Sequence, residues 1–216
     1  MTTIQADIRQ VRPSEYRAVE ELTRDAFWNL YVPGCDEHYL AHTMREHPDY
    51  IPDLELVALV DGRLVGSIIC TSSRLVDPAG ISVDTLTFGP LCVHPDYQRR
   101  GIGTALITRT RSLAEERAYP AIVILGDPHN YCKSGFRNCV DLDVSDPQGR
   151  HPLGLLVLPI RPDFFKAPKA YRFFYSDAYN LDPAKAAEFD AGFPPREKAY
   201  SHTQELFSMT CRAHLD

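Results

Sequence analysis

The residues best suited to chemistry lie between Val93 and Thr104, which read Val93-His94-Pro95-Asp96-Tyr97-Gln98-Arg99-Arg100-Gly101-Ile102-Gly103-Thr104. A proline turn, two adjacent arginines and two glycines follow an apolar run from Leu86 to Val93 and open a helical pattern from Thr104 to Glu116. A strand that empties into the first turn of a helix presents main-chain N–H groups with no intrahelical partner, which is a phosphate cradle. The dipole there favours an anion by ~0.3–1 kcal/mol at an exposed site and by up to ~2 kcal/mol in a partly buried one. Glycine at 101 and 103 lets a diphosphate approach without a Cβ in its path, and Arg99 and Arg100 can add charge. A dinucleotide-binding turn needs Gly-x-Gly-x-x-Gly directly after the first strand, and Leu106 stands at the third glycine position. A P-loop needs Gly-Lys-Ser/Thr, which does not occur.

The other informative stretch is Gly126-Asp127-Pro128-His129-Asn130-Tyr131-Cys132-Lys133-Ser134-Gly135-Phe136. Asp127 suits the cap of a helix at His129, and Gly135 suits the left-handed position that stops one. Carboxylates that could take a proton are Asp36 and Glu37 on a long polar-aromatic connection, Glu55 and Asp84. His38 and His42 share a helix face, with His47 beyond, but no carboxylate completes a ligand set and no metal is expected. Six cysteines are present without Cys-x-x-Cys spacing, so neither a zinc ribbon nor a thioredoxin motif is supported. Cys92 and Cys132, which flank the two motifs, are expected to be small buried thiols.

Local patterns supply the elements that must position these groups. Ala6 to Val11 reads as a strand, followed by a helix capped by Ser14 with Val19, Leu22 and Ala26 on one face. A connection from Phe27 to Asp53 holds a short helix from Glu37 to Glu46. Leu54 to Val60, Asp61-Gly62 and Leu64 to Thr71 form a hairpin, and a polar loop, Ser72 to Ile81, leads to a strand from Val83 to Val93. Ala121 to Leu125 is a parallel-type strand, and a short helix follows around His129 to Ser134. Two more strands are predicted at Phe136 to Val144 and His151 to Ile160, joined by Asp146-Pro147-Gln148-Gly149. Beyond Arg161 the aromatics Phe164, Phe165, Tyr171, Phe173, Phe174 and Tyr175 crowd together. Asp182 to Asp190 then reads as a helix with Pro183 at its first position.

The chain of 216 residues, 44% hydrophobic and 24% charged, fits one large globular domain. A core at residues 1–162 with an extension at 163–216 packed on the same domain is expected, since the extension has too few core residues to stand alone. A net charge of -6 argues against general nucleic-acid binding. Met1 to Arg9 lacks an apolar leader, no apolar run approaches the ~18 residues a membrane span requires, and reduced thiols in the cytoplasm are the expectation.

Gln98-x-x-Gly101-x-Gly103, set between a strand and a helix after Val-x-Pro-x-Tyr, resembles the acetyl-coenzyme A motif of the GNAT acetyltransferase superfamily, Gln/Arg-x-x-Gly-x-Gly/Ala. Tyr131, four residues before Gly135-Phe136, keeps the spacing of a tyrosine found in many of its members. Gly126-Asp127-Pro128-x-x-Tyr131 is similar to a subset reading Gly-Asp-Pro-x-Tyr-Tyr-x-x-Phe-Gly-Phe, with Asn130 and Ser134 departing from it. The resemblance covers about residues 6 to 160. It implies an α/β (α+β) fold, a mixed and mainly antiparallel central sheet flanked by helices, with the fourth and fifth strands splayed. It implies acetyl-coenzyme A as co-substrate, with Leu91, Cys92 and Val93 against the pantetheine amides. Gln98, Arg99, Arg100, Gly101, Ile102, Gly103 and Thr104 would hold the diphosphate, and Asn130 would lie beside the cofactor.

The implied reaction is direct attack of an amine on the thioester. Deprotonating an alkylammonium of pKa ~10.4 at pH 7 costs about 4.6 kcal/mol, so a base is expected, and Glu37 is the choice. The resemblance gives the Val93 N–H to the oxyanion and places Tyr131 at the sulfur, donating a hydrogen bond to the leaving thiolate and handing over its proton late. Two other functions stay open: a catalytically silent acyl-coenzyme A sensor, and an interaction protein that docks by its aromatic tail. The sequence does not choose the acceptor amine, and a homodimer is left open.

Overall fold

The computed structural model describes residues 4–167 and 169–215. Residues 1–3 of the polar N-terminal stretch, residue 168 and the last residue of the extension lie outside them. In chain order the elements begin with β1 (Asp7–Gln10), α1 (Tyr16–Phe27), α2 (Glu37–Met44), β2 (Leu56–Val60), β3 (Arg63–Val76) and β4 (Ser82–Val93). They continue with α3 (Ile102–Glu116), β5 (Ala121–Leu125), α4 (Pro128–Tyr131), β6 (Arg137–Asn138), β7 (Val144–Ser145), β8 (His151–Pro152) and β9 (Leu155–Pro159). The extension adds β10 (Tyr171–Phe174), α5 (Pro183–Asp190), α6 (His202–Arg212) and β11 (His214–Leu215).

The main sheet runs β1-β2-β3-β4-β5-β9-β6, with β10 joined to β3 and β7. Every pairing along that order is antiparallel except β4 with β5, which run parallel, paired at Leu86 and Ile122 with the Thr87 hydroxyl donating to the Val123 carbonyl at 2.8 Å. Toward their C-terminal ends these two strands part. In β3, Gly66, Ile68 and Cys70 alternate with Ser67, Ile69 and Thr71. The first set faces α3, whose Ile102, Leu106 and Ile107 share a core with Ile68 and Leu86. The second faces α1 and α2, where Ile69 meets Leu40, Ala41 and Met44. Period-2 and period-3.6 burial thus agree on a sheet covered on both sides.

Several local expectations need correction. Ser14 is not the cap of α1: the chain enters through a 3₁₀ turn, Pro13–Glu15, with Glu15 at the cap position. The Glu15 carboxylate accepts the Arg12 N–H at 2.9 Å and two Arg9 N–H groups at 2.8 and 2.6 Å, and the arginine holds its pKa down at about 2. β3 does not stop at Thr71 but runs to Val76, so the connection to β4 is only residues 77–81. Its polar end is held by the ladder to β4 and by a 2.8 Å bond between the Ser73 and Thr85 hydroxyls. α3 begins at Ile102, two residues before the expected start. The strand expected over Phe136 to Val144 is broken by a 3₁₀ turn at Cys139–Leu142, and the one over His151 to Ile160 is interrupted between Pro152 and Leu155.

Candidate active site

Where β4 and β5 part, a cavity of about 1120 Å³ opens. It joins both faces of the sheet: Gly103, Thr104 and Ile107 of α3 line one end, and Phe27 of α1 with Glu37 and Leu40 of α2 line the other. At the α3 end, Arg99 and Gly101 have φ of +59° and +89°, and these two left-handed residues curl the chain into the helix. Gly101 carries this conformation at no steric cost. The first N–H to bond back is that of Ala105, to the Gly101 carbonyl at 2.9 Å, which leaves the Ile102, Gly103 and Thr104 N–H groups without intrahelical partners. The Ile102 side chain is core, so only its main chain can serve a ligand. Arg99 lines the cavity, whereas Arg100 does not and sets its guanidinium 5.6 Å from the Tyr97 ring centroid.

The β4 edge is shaped by its register. Val93 stands opposite Gly66, and the His94 N–H bonds the Val65 carbonyl at 2.8 Å. In an antiparallel ladder this makes Val93 and Gly66 a non-hydrogen-bonded pair, so the Val93 N–H and C=O point away from β3, toward the gap. The carbonyl accepts Gln98 Nε2 at 3.2 Å; the N–H remains aimed into the gap. Leu91, opposite Ile68, has the same phase. Cys92 lies between them, opposite Ser67, so its main chain is committed to β3 and only Leu91 and Val93 can meet an added strand. A register shift one pair further back, where Gly89 and Pro90 oppose Ile69 alone, bends β4 at the cavity wall.

Tyr131 reaches the cavity from the far side of the gap. The Asp127 carboxylate accepts the His129 N–H at 2.9 Å and caps α4. Gly135, at φ +93°, ends the following turn and sends Phe136 into the core. The Tyr131 ring is held between Phe88 and Phe136, each with its centroid 5.8 Å away. Gly126 completes the seat: a Cβ there would lie 2.5 Å from Tyr131 Cε2, so no larger residue fits without moving the ring. Burial, with Tyr31 and Asp127 adding to it, pushes the phenol pKa upward, so the hydroxyl stays protonated. Asn130 lies on the same wall.

Of the four carboxylates considered as bases, only Glu37 lines this cavity. Burial raises its pKa to about 7, against the pull of its main-chain hydrogen bonds. Glu55 is fully buried elsewhere, gripped by Arg45 at 2.7 Å and by Tyr50 at 2.5 Å; Asp36 and Asp84 are exposed. Cys92 is buried as expected, but Cys132 is exposed, in the 3₁₀ turn Cys132–Ser134 that follows α4.

Two features lie beyond sequence reasoning. Tyr175, Tyr179 and Phe207 of the extension form part of the cavity wall; the aromatic crowding was the one signal of a packed role. Cys35, His38 and Asp190 form a line, with Sγ to Nδ1 at 3.5 Å and Nε2 to Oδ1 at 3.1 Å. This has the connectivity of a thiol triad but not its chemistry. Burial raises the thiol to about 12 and lowers the imidazole pKa, and Asp190 is already engaged by Arg24 at 2.7 Å. It acts as a buried clamp.

Residues 23–132 match the model of the acetyltransferase (GNAT) family. YhbS of Escherichia coli (strain K12), described as an uncharacterized N-acetyltransferase, is 33% identical over 138 residues, spanning 63% of this chain and 77% of that protein. An acetyltransferase of Pectobacterium atrosepticum is 29% identical over 140 residues, 65% of this chain and 89% of that protein. The crystal structure of E. coli YhbS in complex with CoA superposes with a TM-score of 0.69 and 22% identity over 84% of this chain and 95% of that one. A GNAT family acetyltransferase from Brucella melitensis, in complex with acetyl-CoA, superposes with a TM-score of 0.62 and 21% identity over 81% and 98%. At these identities the superpositions speak for the fold.

Proposed function

The chain belongs to the acetyltransferase (GNAT) family, and on that premise we propose that it moves an acetyl group from acetyl-coenzyme A to a primary amine by direct attack. The observation that carries this reading is one cavity lined by an amide-rich helix start, by the free Val93 N–H of β4 and, from the β5 side of the gap, by Tyr131 beside Phe88. The unbonded N–H groups of Ile102, Gly103 and Thr104 take the diphosphate, with Gln98 and Arg99 beside them. The Leu91 main chain and the second lone pair of the Val93 carbonyl pair with the pantetheine amides as a strand would, which leaves the Val93 N–H for the reacting carbonyl. The Gly-Asp-Pro-x-x-Tyr stretch supports membership of the subset that carries it.

In the transfer, Glu37, with its pKa near 7, accepts the proton that the attacking nitrogen gives up. The C–N bond forms, and the Val93 N–H donates to the oxygen of the tetrahedral intermediate. The C–S bond then breaks with its electron pair on sulfur. Tyr131, its phenol held protonated by burial, donates a hydrogen bond to that thiolate, which takes its proton from solvent on leaving. The products are an amide and coenzyme A. No cysteine nucleophile is needed, which suits the buried and inert state of Cys92.

Titration calorimetry of the full chain with coenzyme A is expected to give a one-to-one isotherm, and the absence of heat and of thermal protection would sink the proposal. Tyr131→Phe is expected to slow kcat by ~10²–10³-fold while the coenzyme A Kd stays within about twofold. Equal loss of both would remove Tyr131 from the chemistry. The silent-sensor reading is met by the same preparation: binding without thiol release on any amine would favour it. All six cysteines are unpaired thiols, which suits a reducing compartment and supports a cytoplasmic setting. Among the described residues, no helix is long and apolar enough to cross a membrane.

A further inference from the structure

We propose that the acceptor is a monoamine whose nitrogen is joined by a short linker to an aromatic or branched apolar body; this rests on the acetyl-transfer reading above and concerns the wall facing the thioester. Six rings line that side of the cavity: Phe27, Tyr31, Phe173, Tyr175, Tyr179 and Phe207. They form connected pairs. Tyr31 stacks on Phe207 at 3.9 Å and 22°, with Phe27 5.8 Å away, and Tyr175 meets Phe173 at 6.1 Å and Tyr179 at 5.9 Å. Tyr179 donates its hydroxyl to the Gly89 carbonyl at 3.3 Å, so its ring rather than its oxygen is left for a ligand.

Charge on the lining is unevenly placed. Among the described lining residues, the cations are Arg99, before α3, and Lys133, after α4. Two carboxylates, Glu37 and Asp127, lie near Tyr31; Asp127 is engaged in capping α4 through the His129 N–H, which leaves Glu37 as the carboxylate offered to an amine. A single amine finds its base there and ring faces for its ammonium form. A polyamine or aminoglycoside would bring further ammonium groups into an apolar wall without partners. An amino acid would bring a carboxylate with no cation to receive it. Four of the six rings come from the extension, beyond the residues that match the family, so this preference belongs to the chain's own addition to the fold.

The test uses the full chain with saturating acetyl-coenzyme A and thiol release as readout, on 2-phenylethylamine, spermidine, kanamycin and glycine. The expected result is a kcat/KM for 2-phenylethylamine at least tenfold above each of the others. Phe207→Leu and Tyr31→Leu are each expected to raise its KM about tenfold, with the KM for acetyl-coenzyme A within twofold. Should Tyr31→Leu fail to fold, Phe207→Leu, at a half-buried position of the mostly exposed α6, carries the comparison, its fold checked by coenzyme A binding. A preference for spermidine, kanamycin or glycine, or an unchanged amine KM in the variants, overturns the inference and leaves acetyl transfer standing. Coenzyme A binding with thiol release on none of the four also overturns it. Failure of coenzyme A to bind overturns the transfer reading itself.

Discussion

At the scale of single residues, two groups of opposite tendency share one cavity. Tyr131 is kept neutral by burial, and its ring is fixed by Phe88, Phe136 and the missing Cβ of Gly126. Glu37 is raised to about 7 by the same cause, where a base is half available at neutral pH. The rate is therefore expected to rise with pH through about 7 and level above it. Glu37→Gln should lose that limb and ~10²–10⁴-fold in kcat/KM; a pH profile of the two proteins checks it, and an unchanged limb would exclude Glu37. Stability moves the other way. Because the folded pKa lies above the ordinary 4.5, the contribution of this group is full below that value and is lost as pH rises through about 7. Melting curves of Glu37→Gln should lack this decline. The motif residues were legible in the sequence because their spacing resembles that of the family's motifs. The choice of Glu37 over Glu55 rests on burial, since Arg45 and Tyr50, both in the connection between α2 and β2, hold Glu55 out of solvent, whereas Glu37 lines the cavity.

At the scale of elements, the cradle depends on how α3 seats on the sheet. A Cβ on Gly66 would stand 3.0 Å from Ile102 Cγ2 and 3.1 Å from Leu106 Cδ1, both buried. Gly66 thus lets the first turn of α3 approach β3 beside Val93. Gly66→Ala is expected to cost ~1–3 kcal/mol, read as a lower melting temperature, and to weaken coenzyme A binding in calorimetry by tilting the helix start. Unchanged affinity with lowered stability would separate the seat from the cradle. The hairpin β2–β3, β4, β5 and α3 were visible in the sequence because their apolar periods are regular. The far end of β3 was not. Ser72, Ser73 and Arg74 look like loop, and they become strand because β4 on one edge and β10 on the other supply partners.

At the scale of the molecule, the extension is a structural part of the sheet and the cavity. β10 takes the edge of β3 beyond the reach of β2, setting Phe173 opposite Leu75 in the core. α5 is tied to α1 and α2 through Asp190, which meets Arg24 at 2.7 Å and His38 at 3.1 Å. The Arg24 side chain is 4% exposed, so Asp190→Ala would leave a buried charge without its carboxylate. A loss of ~3–5 kcal/mol is expected, a fall in melting temperature of roughly 10 °C. A change of less than a degree or two would mean the extension is held elsewhere. Buried Tyr171 and Phe173 also bear on the docking-tail reading, since rings packed in the core are not offered to a partner.

By itself the sequence determined what the chain must do locally. Glycines, a proline turn and an apolar run place an amide-lined helix start after a strand, and Asp127 and Gly135 bracket Tyr131, because caps and left-handed positions are written in residues a few places apart. Only the tertiary structure decided what those pieces enclose. The parting of β4 from β5, the phase that turns Val93 outward, the burial that raises Glu37 and the rings that α6 and β10 bring to the wall all arise between residues far apart in the chain, from Gly66 and Val93 to Tyr31 and Phe207. Contacts at such separations leave no periodic trace along the chain, because what fixes them is the shared core rather than their neighbours in sequence.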